Sequence, residues 1–418
     1  MTVQHPAPQP LSSKSLVSVI IPNYNHAQYL SAAIESVLAQ DYQPIEIIVV
    51  DDGSTDNSRA VVAQFGDKVR PLWQENRGLS AARNTGIHAA RGVYIGLLDA
   101  DDMYEPHFVS TLVAQLEATP TASGIYCGYQ FVDQNNRPLP QIEARSIGAE
   151  QLHQALADGN FLVPEAMLLR RTCYAQVGPF DEALRACEDW DMWLAVTKAH
   201  KVIGTNQILT RHRILSGSMS TDPGRMLHNR LAVLAKHFGS EPVDAASGNE
   251  AQRRAYSHGY LTSAVEHLQR DDTEGAYRCI QRMAQIEPAR LHALDTFYEL
   301  GCGAQPKGYR SHFASLDLEQ NGAVLLNMMA RLFDDLQPAA LFVPHRRAAY
   351  SQAYFALGLL SYGAHKFGLA RTYLLRALAQ SPSFGLNRRF VTTLLRSLAG
   401  KTTMASLRQL RRATVGVR

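Results

Sequence analysis

The run Leu97-Leu-Asp-Ala-Asp-Asp102 closes an apolar stretch in three carboxylates. A strand rich in Val, Ile and Leu that stops in acids concentrates negative charge at its carboxyl end, the edge at which open α/β sheets bind ligands. Hard carboxylate oxygens suit Mg²⁺ or Mn²⁺, and Mg²⁺ is usually held by one or two carboxylates while substrate phosphates complete its shell. Asp99, Asp101 and Asp102 are therefore expected to hold a metal-diphosphate. The competing reading is a solvated turn whose side chains cap the helix beginning near Pro106, because Asp is favoured in turns and caps.

The elements before these acids position them. Val17–Pro22 reads as a short buried strand, followed by the polar turn Asn23-Tyr-Asn-His26 and a helix with Leu30, Ile34, Val37 and Leu38 at helical spacing. Ile45–Val50 is a second strand, ending in Asp51-Asp-Gly-Ser-Thr-Asp56. Val69–Trp73 leads through Asn76-Arg-Gly78 to a small-residue helix from Leu79 to Ala90, and Val93–Leu98 then delivers the acids. Strands alternating with helices predict an α/β, doubly wound, mostly parallel sheet whose post-strand loops share one edge. Tyr24, Asp52, Arg83 and Asp101 converge there: Tyr24 offers a stacking face, Asp52 an acceptor for a base N–H, and Arg83 a charge for a phosphate. Arg83 on a solvated helix face, and Asp51 in an ordinary turn before Gly53, are the alternatives.

Four runs in this order, Val17–Asn25, Ile48–Asp56, Asn76–Gly86 and Leu97–Asp102, resemble the family 2 glycosyltransferases of GT-A fold. A fifth follows, Val177-Gly-Pro-Phe-Asp-Glu182 leading to Cys187-Glu-Asp-Trp-Asp-Met-Trp-Leu194, and the resemblance covers residues 16 to 220. It implies inverting transfer from a nucleoside-diphosphate sugar, a UDP-sugar foremost, to a glycan or lipid-linked acceptor in polysaccharide or glycoconjugate synthesis. By family position, Pro22, Tyr24 and Asp52 meet the nucleotide, Asp101 and Asp102 serve ribose-phosphate and metal with Asp99 opening the motif, and Asp189 is the general base. Inversion by a single displacement needs one such base and a cation for the leaving diphosphate. Charge at a helix start is the alternative for Asp189 and the preferred reading of Glu188 and Asp191. Trp190 and Trp193 share a helix face and read as core. Thr210–Ser220 resembles the flexible segment that closes over the donor, with Arg213 on the diphosphate. Where the family often has His two residues later, this chain has Leu215, so the donor contact of that His is either lost or taken over by His212. Gly217 and its serines predict a mobile lid.

From Arg225 the pattern turns helical. Ala255–Pro288 and Ala349–Pro382 match each other, with a small residue, Ala264 or Gly358, nine positions after each start, and resemble tetratricopeptide helix pairs. An unrelated bundle is the alternative. The expected division is a disordered leader 1–15, a transferase domain 16–224, a helical domain 225–389 and a basic amphipathic tail 390–418. Net charge is only +3, yet no acid follows Asp335 while thirteen Lys and Arg do. Leucines interleaved with those cations predict contact with an anionic membrane, with a merely solvated helical face as the alternative, and the helical pairs offer a surface for a protein partner. Nucleic acid is not expected, since no recognition module accompanies the charge. Five scattered cysteines without metal spacing fit a reduced, cytoplasmic setting, peripheral to the inner membrane face. A non-catalytic nucleotide-sugar scaffold and a nucleotidyltransferase are the rival functions.

Overall fold

Residues 14–215, 221–310, 312–334 and 339–398 are described by a computed structural model. The leader up to residue 13, the Gly-Ser segment 216–220 and the tail from 399 lie outside them. Two compact units divide the chain. One comprises residues 14–130, 143–155 and 161–213, and the other comprises 131–142, 156–160 and the chain from 214. The main division thus falls before the expected boundary at 224, and two short inserts group with the second unit.

The elements of the first unit run β1 (Val17–Asn23), α1 (Ala27–Leu38), β2 (Ile45–Asp52), α2 (Ser58–Ala63), β3 (Arg70–Gln74), α3 (Leu79–Ala89), β4 (Tyr94–Leu97), β5 (Met103–Tyr104) and α4 (Phe108–Ala118). They continue through β6 (Gly124–Val132), α5 (Ala149–Ala157), β8 (Met167–Arg170), α6 (Arg171–Val177), α7 (Glu188–Ala199) and β9 (Val202–Arg213), while β7 (Pro138–Glu143) lies almost wholly in the insert 131–142 that groups with the second unit. The sheet order is β3-β2-β1-β4-β8-β6-β9-β5, with β7 paired to β6. Strands β3, β2, β1 and β4 are mutually parallel, and antiparallel pairing begins where β8 joins β4. Every residue of β1 is buried, as expected for a parallel strand covered on both faces. α3 lies close on β1 and β2 because it carries Gly86: a Cβ there would come within 2.3 Å of Ile20 Cγ2.

Register brings the strand ends together. Asn23 pairs with Asp51, Asp52 with Gln74, and Ile20 with Leu97, so the first four strands finish at one edge. Past the acids, Met103 pairs with Arg211 and Tyr104 with Thr210. This short antiparallel ladder corrects the expectation of a loop at Thr210–Arg213: those residues end β9 and are held beside Asp101 and Asp102.

The second unit is built on α8 (Pro223–Phe238), α9 (Glu250–Leu268), α10 (Thr273–Ile286), α11 (Leu294–Gly301), α12 (Leu318–Asp334), α13 (Ala339–Phe342), α14 (Arg346–Gly363) and α15 (Phe367–Gln380). A last helix, α16, spans 388–398. The two matching stretches become helix pairs of one layout. α10 and α15 begin at Thr273 and Phe367, a shift of 94, and the 3₁₀ turns from Pro288 and Pro382 keep that shift. The connecting turns each hold a non-glycine residue in the left-handed region, Asp271 (φ 57°) and His365 (φ 61°), again at the same shift. So do the third helices, α11 from Leu294 and α16 from 388. α16 begins inside the expected tail, yet Phe390 is buried in one cluster with Phe355, Leu374, Ala377 and Phe384. Residues 390–398 therefore belong to the helical unit and not to a separate tail.

His258 on α9 supplies a pH signature. Burial, reinforced by the nearby Arg290 charge, pushes its imidazole down to about 4. The folded chain then stays neutral there while the unfolded chain takes up a proton near its ordinary value of about 6.5. Stability from this group is complete above that value and is lost as the pH falls toward 4, by up to about 3 kcal/mol. Denaturant unfolding at pH 7.5 and pH 4.5 should show a smaller acid loss for His258→Gln than for the wild type; equal losses would remove His258 as the source.

Candidate functional site

Side chains bind the strand-end loops to one another. Asn23 Nδ2 donates to Asp51 Oδ2 at 2.9 Å and to Ser54 Oγ at 3.1 Å, while Asn25 Oδ1 accepts from Thr55 N at 2.8 Å. The loops after β1 and β2 are thereby joined, with Pro22 buried in β1 and Tyr24 exposing 47% of its surface beside them. Asp52 is buried and accepts from Gln74 Nε2 (2.7 Å), Arg77 N (2.9 Å) and Gly78 N (2.8 Å). Both its oxygens hold the loop after β3, which turns through Gly78 at φ 96°.

The acidic run closes on itself and on β9. Asp102 N donates to Asp99 O at 3.0 Å, a tight turn. Arg213 N donates to Asp102 Oδ1 at 2.7 Å, and its Nε donates to the Asp101 carbonyl at 2.7 Å, with the guanidinium 4.8 Å from the Tyr29 ring centroid. Arg213 is almost wholly buried, in contrast with the expectation of a residue on a mobile lid. Burial, then repulsion from Asp102 and Asp99, pushes the Asp101 carboxyl up to about 7; burial and Glu165 do the same to Asp102. His212 faces this charge: burial works against its cation, but the Asp102 and Glu165 carboxylates hold it well above its ordinary value. Its Nδ1 lies 3.1 Å from Asp102 Oδ2 and 2.9 Å from Glu165 Oε1.

Asp99 and Arg83 were expected on metal and phosphate. Instead, Arg83 Nη2 donates to both Asp99 oxygens, at 2.8 and 3.1 Å, and Nη1 donates to Glu188 Oε1 at 2.6 Å. Arg83 is completely buried, so neither a solvated helix face nor an open phosphate contact describes it. A charge with no water needs paired carboxylates, and the sequence supplies one from β4's end and one from the first turn of α7. Asp189, next on α7, accepts from Trp190 N at 2.7 Å, and its charge reaches Arg83 and Tyr129. Trp190 and Trp193 are core residues, as expected.

Among the described residues, the group of three whose ligand atoms lie within 4.8 Å of one another is Asp102, Glu165 and His212. Asp99 and Asp101 are not in it. Glu165 was not anticipated; its only signal is a lone acid inside the apolar run Phe161-Leu-Val-Pro-Glu-Ala-Met-Leu-Leu169. Two carboxylates, one imidazole and a buried Glu165 Oε2 without a hydrogen-bond partner make a donor set suited to a divalent cation.

Residues 18–178 match the model of glycosyl transferase family 2. Glycosyltransferase GlyG of Streptococcus pneumoniae is 32% identical over 223 residues, which is 49% of this chain and 72% of that protein. The chain belongs to glycosyl transferase family 2. An uncharacterized glycosyltransferase of Rickettsia prowazekii is 33% identical over 209 residues, 48% of this chain and 64% of the relative, so the chain spans under two thirds of that protein's length. The crystal structure of S. aureus TarS aligns with 83% of this chain and 55% of its own at 16% identity and a TM-score of 0.47. The matched family 2 region ends at residue 178, ahead of Asp189, His212 and Arg213.

Removing the buried cation tests the Arg83 arrangement. Arg83→Met leaves Asp99 and Glu188 without their partner and should lower unfolding free energy by about 3–5 kcal/mol, the range for breaking a buried ion pair. Denaturant titration reads this directly. A variant of wild-type stability with weakened nucleotide binding would instead assign Arg83 to the phosphate.

Proposed function

We propose that this chain transfers a sugar from a nucleoside-diphosphate sugar, a UDP-sugar foremost, to an acceptor hydroxyl, with inversion at the anomeric carbon. The observation that carries the reading is the gathering of Asp101, Asp102 and His212 at the sheet edge of a family 2 domain, where Tyr24 lies exposed after the first strand, with both acids raised by burial and by neighbouring carboxylates, Asp102 for Asp101 and Glu165 for Asp102. Such a site gains from a cation and a diphosphate arriving together.

In this reading Tyr24 stacks on the base. Pro22 lies near the end of the first strand beneath it, and Asp52 shapes the 76–78 loop against it, since its oxygens are occupied by that loop. Asp101 orients the ribose-phosphate, and Arg213 steadies Asp101 through its carbonyl while adding positive charge near the diphosphate. Asp102 is the first residue to hold Mg²⁺ or Mn²⁺, which when bound supplies a Lewis acid toward the departing diphosphate. Arg83 fixes Asp99 and, through Glu188, the start of α7. Asp189 on that turn takes the proton of the acceptor hydroxyl.

Asp189→Asn keeps the shape and removes the basicity, so single-turnover transfer should slow by roughly 10²- to 10⁴-fold while donor affinity holds. Calorimetry with the nucleoside diphosphate and quenched-flow product analysis read the two separately; lost affinity with a normal rate would reassign Asp189. Released nucleoside diphosphate supports glycosyl transfer. Released pyrophosphate would favour the nucleotidyltransferase, and no turnover with any nucleotide sugar the scaffold.

For the acceptor, we propose a glycan or lipid-linked chain met at the cytoplasmic face of an anionic membrane. No helix among the described residues is long and apolar enough to cross one. α15 and α16, linked by Arg371 Nη1 to Ser397 O at 3.2 Å, each expose a Thr-x-x-Leu-Arg face: Thr372, Leu375 and Arg376, and Thr392, Leu395 and Arg396. Leu375 and Leu395 are more than half exposed, and no acid lies on either helix. The full chain should sediment with anionic vesicles at low salt and less at high salt, where exposed charges are screened. Leu375→Ser with Leu395→Ser should weaken that binding. Equal sedimentation with zwitterionic and anionic vesicles would reject the membrane and leave a protein partner for the helical pairs.

A further inference from the structure

We propose that Glu165 is a direct ligand of the divalent cation, completing with Asp102 and His212 a mixed oxygen–nitrogen site in which Asp99 has no part. The inference rests on the reading that transfer uses a cation, and it reassigns who holds it.

Glu165 sits in the 3₁₀ turn Pro164–Ala166 that opens β8 and is completely buried. Among the described residues, its ion-pair partner is His212. One imidazole nitrogen faces two carboxylates, from Glu165 at 2.9 Å and from Asp102 at 3.1 Å. Nδ1 carries at most one proton, so the two acids compete for one hydrogen bond. Glu165 Oε2 is buried with no hydrogen-bond partner, although a buried carboxylate oxygen is costly to leave bare. A cation replacing the Nδ1 proton satisfies all three groups at once. Bonds of about 2.1 Å in octahedral geometry place neighbouring ligand atoms about 3 Å apart, which matches the two separations just given.

Of the other acids in the run, Asp99 spends both oxygens on Arg83, and Asp101 lies outside the group of three whose ligand atoms come within 4.8 Å of one another. Asp102 can serve the cation because its Oδ1 is fixed by Arg213 N while Oδ2 faces His212. The nitrogen donor has a further consequence: imidazole suits transition metals better than Mg²⁺, so this site should prefer Mn²⁺.

The test is Mn²⁺ binding to the full chain, followed by loss of the free-ion EPR signal with UDP present. The wild type should bind Mn²⁺ more tightly than Mg²⁺ by competition. Glu165→Gln should weaken Mn²⁺ by at least about tenfold, the scale on which even outer-shell partners act. Should Glu165→Gln fail to fold, Glu165→Asp, which keeps the charge and draws it back by one methylene, should fall between the two. His212→Asn should abolish the ¹⁴N modulation in the spin echo of bound Mn²⁺. Wild-type affinity in Glu165→Gln or Glu165→Asp would overturn the assignment while leaving cation dependence intact. Failure of the wild type itself to bind Mn²⁺ with UDP would overturn the cation reading and this inference with it.

Discussion

Arg83 carries a full charge with no access to water, and the arrangement of the sheet edge follows from how that charge is matched. Its two amino groups meet Asp99 beyond β4 and Glu188 at the start of α7. Three elements far apart in sequence are locked into one register by this contact, because misplacing any of them strands a buried charge. α3, which bears Arg83, is itself fixed on β1 and β2 by the close approach at Gly86. The chain from the strand ends to Asp189 is therefore positioned from inside the protein.

With both Asp99 oxygens committed to Arg83, the chemistry of the acidic run falls to its neighbours. Asp101 and Asp102 meet β9, whose end is pinned by the pairing of Tyr104 with Thr210. Glu165 enters from a separate turn, so the acidic density around His212 is assembled by three segments and not by one motif. Such a cluster is unfavourable without compensating positive charge.

Much of this was legible in the sequence, for identifiable reasons. Continuous apolar runs such as Val17–Ile21 and Ile47–Val50 announce strands covered on both faces, and the alternation with helices announces their parallel order. Tyr24 was legible because a polar turn after a buried strand has to face solvent. Arg83 was not, since charge alone looks solvated until its partners, 16 and 105 positions away, are known. Thr210–Arg213 looked like a loop because glycine and serines follow, whereas a two-residue ladder to β5 decides it. Glu165 lacks any spacing relation to the other acids, so only folding reveals it.

The helical unit repeats three helices at a shift of 94 residues, but its two copies differ in charge. The first, over 250–301, includes Glu250, Glu266, Asp271, Asp272, Glu274, Glu287, Asp295 and Glu299, whereas the corresponding stretch 344–395 has no acid at all. The first copy thus mixes acids with arginines while the second carries only positive charge, so the two copies of one scaffold answer an external field unequally. Within about a Debye length of an anionic surface, roughly 8 Å at physiological salt, the 344–395 stretch would be the one attracted, since no acid within it offsets its cations.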